Sequence, residues 1–162
     1  MLQHLVFTYQ FNLQHAKQLV KDLTGEQMVQ QPGGLVNHPA WTLGHLASAS
    51  NMLAKSFGLE STFPADWEEH FKTGGTPSAD GAAFPSKDEI LAELSTQHDR
   101  VAAVIKNADP ELFEKESDEG LREHFPTIGD FAVYLMSAHE GTHIGQIAAW
   151  RRAMGLDSGT GN

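Results

Sequence analysis

The sequence predicts an all-α protein, an antiparallel four-helix bundle. Four stretches carry apolar residues at helical spacing, strand-like alternation is almost absent, and a long link after the second helix leaves room for a crossover between helices two and three. At 162 residues the chain is long enough to bury a core without disulfides or a structural metal. One domain is expected over residues 1–157, with 158–162 as a short flexible tail.

Leu2, Leu5, Val6, Tyr9, Leu13, Ala16, Leu19, Val20 and Leu23 form the apolar stripe of a first helix, which is expected to stop near Thr24-Gly25. Gln31-Pro32-Gly33-Gly34 breaks the chain. A second helix then opens at Pro39, where proline suits the first turn, and is expected to reach Phe57. From Gly58 to Pro85 the chain is rich in Gly, Pro, Ser and Thr, with one short helical turn predicted at Asp66 to Phe71. A connection of that length inside a compact domain points to a crossover or a functional loop.

Ser86-Lys87-Asp88-Glu89 has the form of a capping box, opening a third helix through Ile90, Leu94, Val101 and Ile105 that ends between Asn107 and Pro110. An acidic link from Glu111 to Glu123 follows. Thr127 is the expected N-cap of the fourth helix, with Asp130 placed favourably against its dipole, and that helix runs to about Met154-Gly155.

Composition excludes several classes of function. With no Cys, the chain has no disulfide framework, no thiolate metal site and no thiol nucleophile of its own. A formal net charge of -10, with no basic cluster beyond Arg151-Arg152, would repel a phosphate backbone, so no nucleic-acid partner is expected. Met1 to Phe11 is apolar but interrupted by Gln3, His4 and Gln10, and no signal peptide or membrane span is read there. The expected location is cytoplasmic.

The chemistry is concentrated in His139-Glu140-Gly141-Thr142-His143, late in the fourth helix. Imidazoles four residues apart lie one turn above each other and can grip one metal ion from the same side. Nine His in 162 residues make such spacing expected by chance in roughly every second chain of this composition, so context must decide. On the second helix His45, one turn after Trp41 and beside Leu46, Ala49, Met52 and Leu53, is the best third ligand. Three neutral imidazoles leave positions for water or substrate, as a catalytic ion requires. The same residues also read as metal-free core or surface histidines.

Glu140 stands about 100° around the helix from His139, which suits a solvated, salt-bridging residue better than a general base, leaving it a weak catalytic candidate. His38 is expected in the entry turn of the second helix, and His4, His15, His70, His98 and His124 read as ordinary polar residues. Trp41 and Trp150 are expected as core or cleft walls. Gly141 and Gly145 lower helix stability and imply that a neighbouring helix, a second copy or a ligand approaches the backbone closely.

His-Glu-x-x-His also introduces zinc peptidases, but the continuation is missing. Gln146 stands where a metzincin has Gly, Ala149 where it has the third His, and the 19 residues after His143 contain no Glu or His. The strands that shape a peptide-binding edge are absent as well.

Pro32-Gly33-Gly34, the run from Asn37 to Ala47 containing Gly44-His45-Leu46-Ala47, and the run from His139 to Ile147 together resemble the DinB/YfiT-like superfamily. The resemblance implies a four-helix bundle of up-down-down-up topology, commonly a homodimer, with a divalent metal (Zn, Ni, Fe or Mn) held by His45, His139 and His143. It further implies a thiol-dependent transferase or isomerase acting with a low-molecular-weight thiol such as bacillithiol, mycothiol or glutathione. A substrate thiol would supply the sulfur that a cysteine-free chain lacks. The competing readings are a non-enzymatic helical binding module and a metal-dependent hydrolase.

Overall fold

The computed structural model describes residues 2–78 and 80–159, so residues 160–162 of the expected tail lie outside the described residues. Seven α-helices are present among them: α1 (Leu2–Val20), α2 (Pro39–Ser56), α3 (Glu68–Phe71), α4 (Lys87–Asn107), α5 (Pro110–Phe113), α6 (Ile128–Val133) and α7 (Glu140–Ala153). A π-helical turn, Tyr134–His139, joins α6 to α7. No strand occurs among the described residues, only an isolated bridge between Glu116 and Thr127. No helix among the described residues is long and apolar enough to cross a membrane.

The long helices begin where local chemistry supplies caps. His38 precedes Pro39 and its Nδ1 accepts from the Trp41 backbone N–H at 3.2 Å. Ser86 and Glu89 close a reciprocal capping box on α4, and Thr127 and Asp130 close another on α6. By contrast α1 ends at Val20, short of the expected Thr24, because side chains from elsewhere take its terminal carbonyls. Lys87 Nζ donates to the carbonyls of Val20, Lys21 and Leu23, and Arg151 Nη1 to that of Leu19.

The apolar core forms two clusters stacked along the helices. One gathers Leu13, Leu19, Leu43, Leu46, Leu94, Ile147 and Trp150. The other gathers Val6, Leu53, Val101, Ile105, Phe131 and Met136. Buried polar residues lie near where the two meet on three of the helices: Ser50 on α2, Gln97 and His98 on α4, and Glu140 at the start of α7. Of the three candidate ligands, His45 and His143 are buried and His139 is half-buried.

Candidate metal centre

His45 owes its position to the residue before it. A Cβ at Gly44 would collide with the ring of Phe71, so only glycine lets α3 press its fully buried Phe71 onto α2. That contact brings the Phe71 carbonyl within 2.9 Å of His45 Nδ1. With its proton on Nδ1, the imidazole donates to this carbonyl and turns the Nε2 lone pair away from it. Trp41 stacks flat against the ring, at 4.8 Å between centroids and 5° between planes.

His143 is held in the same way. Its Nδ1 lies 3.0 Å from Gln146 Oε1, which also accepts from Asn37 Nδ2 at 3.2 Å, tying α7 to the turn before α2. His139 Nε2 comes within 3.2 Å of His45 Nε2. Its Nδ1 is buried with no partner among the described residues. One ligand atom from each of the three imidazoles lies within 4.8 Å of those of the others.

The electrostatics favour neutral rings. Burial, then the neighbouring His143 and His45, lower the His139 pKa to about 3. Burial and His45 lower His143 to about 4, against the bond to Gln146. Burial lowers His45 as well, opposed by its bond to Phe71. Neutral imidazole is the form that donates to a metal, and two of the three rings have Nδ1 engaged so that Nε2 is left for the ion. This donor set fits a divalent cation of imidazole-accepting type.

Glu140 does not sit in solvent as its sequence position suggests. It is 2 % exposed, and its Oε1 lies 2.7 Å from Nε2 of His98, itself 1 % exposed. The His98 ring stacks flat on Tyr9, at 3.8 Å and 7°, and the Tyr9 hydroxyl donates to Ser50 Oγ at 2.7 Å. Burial raises the Glu140 pKa, while His98 and Asn12 oppose the rise. Glu140 thus points into the helix-packing layer and does not line the cavity beside the three imidazoles. His98 is no ordinary surface histidine. No local pattern marks it, since its partner is on another helix.

A cavity of about 710 Å³ opens in front of the histidines. Met52 and Ala49 of α2, Leu121 and Phe125 of the link before α6, and Tyr134 and Leu135 of the π-helical turn form its apolar wall. Lys72, Thr73 and Gly74 from the long link and His124 add polar groups. These link residues were invisible to periodicity, because links have none; the length of the 58–85 connection was the one available signal. Trp41 is a cavity wall as expected, and Trp150 is core, its Nε1 donating to the Gln30 carbonyl at 2.7 Å.

The expectation that another helix of the chain approaches Gly141 and Gly145 is corrected. A Cβ at either would meet nothing within 4 Å, and both residues are exposed.

No curated protein and no solved structure matches the chain. The family model of the DinB superfamily matches residues 8–147, a span that takes in α2, the π-helical turn and all three clustered histidines, and the chain belongs to that superfamily.

Proposed function

We propose that the protein is a divalent-metal-dependent enzyme whose ion is held by His45, His139 and His143, and that it transfers a low-molecular-weight thiol to an electrophilic acceptor. The observation that carries this reading is the convergence of three neutral imidazoles, within 4.8 Å, at the wall of a 710 Å³ cavity. An ion so held would supply a Lewis acid that favours the ionised form of a thiol at neutral pH. The chain's residues do the rest. Phe71 and Gln146 fix the ring orientations of His45 and His143, and Trp41 packs against His45. In the transfer the thiol would lose its proton to solvent water, sulfur would bond to the acceptor carbon, and the leaving group would depart with the electron pair of the broken bond.

The four long helical segments, α1, α2, α4 and the run from α6 to α7, are assigned to one four-helix bundle of up-down-down-up order within a single domain over residues 1–157. The contacts of α2 with α4 and of α1 with α4 and α7 support this arrangement. The cytoplasm is the proposed location. A homodimer is also proposed, formed through α1, where Phe7 and Phe11 are 71 % and 59 % exposed and residues 2–16 carry no Asp, Glu, Lys or Arg.

Metal content of the purified full chain tests the site, and glutathione consumption with 1-chloro-2,4-dinitrobenzene tests the reaction. One ion per chain and metal-dependent conjugation, both lost in His139→Ala/His143→Ala, are expected. Metal binding that survives in that variant overturns the site. Specific metal binding with no thiol chemistry across a panel of thiols and acceptors overturns the reaction.

A further inference from the structure

From the cavity lining we infer the class of acceptor: a small molecule with a flat apolar or aromatic body and an anionic group, the body lying on the Met52, Phe125 and Tyr134 wall and the anion near Lys72. This rests on the proposal that the cavity is the substrate site, and it adds what kind of substrate enters. The first observation is charge. The chain has 21 Asp and Glu among 162 residues, yet none of the described residues lining this cavity is acidic. Beside the candidate ligands, its basic side chains are Lys72 and His124. A cationic substrate would meet no counter-charge there, whereas an anion would meet one and be spared the repulsion found elsewhere on a surface of net charge -10.

The second observation is the wall itself. Met52 and Tyr134 are 38 % and 39 % exposed, and both face this cavity. Phe125 and Tyr134 lie 4.7 Å apart at 32°, and Phe125 packs on Phe131 at 5.4 Å, giving a continuous aromatic surface beside Tyr134 and His139. Such a surface takes a ring by offset stacking and is not matched by a wholly hydrated solute. Lys72 is available: its partner Glu69 is three residues away at 2.6 Å, with the two side chains 56 % and 82 % exposed. An exposed pair of this kind is held by under about 1 kcal/mol, so an incoming carboxylate can displace Glu69.

The test is equilibrium binding, by calorimetry, of 2-naphthoate, 2-naphthylmethanol and 2-naphthylmethylamine to the full chain, both as purified and after chelation. The expected order is anion, then neutral, then cation, retained after chelation. Met52→Glu should weaken 2-naphthoate at least about tenfold, because it sets a carboxylate in the apolar wall. Lys72→Met should weaken 2-naphthoate alone by about two- to fivefold and leave the alcohol unchanged. Equal or tighter binding of the amine, indifference to Met52→Glu, or no binding by any of the three overturns the inference. So does naphthoate binding that vanishes on chelation, which would place its carboxylate on the ion instead of Lys72. Because the chelated protein is measured too, failure of the metal reading and failure of this one give different results.

Discussion

Glu140 and His98 meet 2.7 Å apart with both side chains shut off from solvent, one residue along the chain from the candidate ligand His139. The glutamate of the His-Glu-x-x-His motif is therefore turned toward α4 and away from the cavity, and its chemistry is that of a buried pair.

A buried pair is strongly destabilised by loss of one member and much less by loss of both. Glu140→Leu alone should lower unfolding free energy by about 1–3 kcal/mol, since it leaves the buried His98 without its polar neighbour. The double variant with His98→Leu should recover at least about 1 kcal/mol of that loss. Denaturant unfolding of the two single variants and the double variant reads the coupling. Additive effects would mean the two side chains do not interact.

The tether on His143 should matter to metal affinity even though Gln146 touches no ion. Gln146→Ala is expected to weaken binding by about 10- to 100-fold while leaving the stoichiometry at one, by freeing the His143 ring. Competition with a chromophoric chelator measures this. An unchanged affinity would remove the Nδ1 bond from the account.

Glycines on the two histidine-bearing helices should respond in opposite ways. Gly44→Ala drives a methyl into the Phe71 ring and should destabilise by about 1–3 kcal/mol, displacing the carbonyl that orients His45. Gly141→Ala and Gly145→Ala meet open space and should each stabilise the isolated chain by about 0.5–1 kcal/mol through helix propensity. Thermal melts compare all three.

Acid should erase one particular contribution. Asp22 is held below its ordinary carboxylate pKa first by its hydrogen bond to Arg151, whose Nη1 and Nη2 reach it at 2.6 and 2.9 Å. A depressed folded-state pKa means stability present above the unfolded value near 3.8 and lost as pH falls through the folded one. Asp22→Asn should therefore cost under about 1 kcal/mol at neutral pH, given that Asp22 is half exposed. Its difference from the parent should begin to shrink as pH falls below 3.8 and vanish once pH is below the depressed folded-state value; a difference that persists at still lower pH would assign the effect to packing.

If α1 forms the proposed dimer face, Phe7→Lys with Phe11→Lys should convert a sedimenting dimer to monomer. The fold should hold, because neither ring contributes to the buried core. A monomeric parent would end the dimer proposal.

Local chemistry was the legible part of this molecule. Ser86 with Glu89, and Thr127 with Asp130, announce their helix starts within four residues, and both capping boxes are present. His45, His139 and His143 were also legible, since helical spacing aligns two of them and the apolar neighbours of His45 turn it inward. What escaped was long-range or irregular. The partner of Glu140 comes from α4, the end of α1 is decided by Lys87 and Arg151, and the cavity residues of the links follow no period.

The π-helical turn from Tyr134 to His139 makes the aim of the histidine pair a matter of counting. A π turn accommodates one more residue than an α turn over the same height. Were the turn to close into regular α geometry with every residue kept, everything beyond would rotate by about 100°, carrying His139 and His143 off the side that faces His45. Every side chain needed for the cluster would still be encoded, and the cluster would not form. Among sequences of this kind, a single-residue gap within this turn is therefore compatible with the same cluster, whereas loss of the π turn at unchanged length is not.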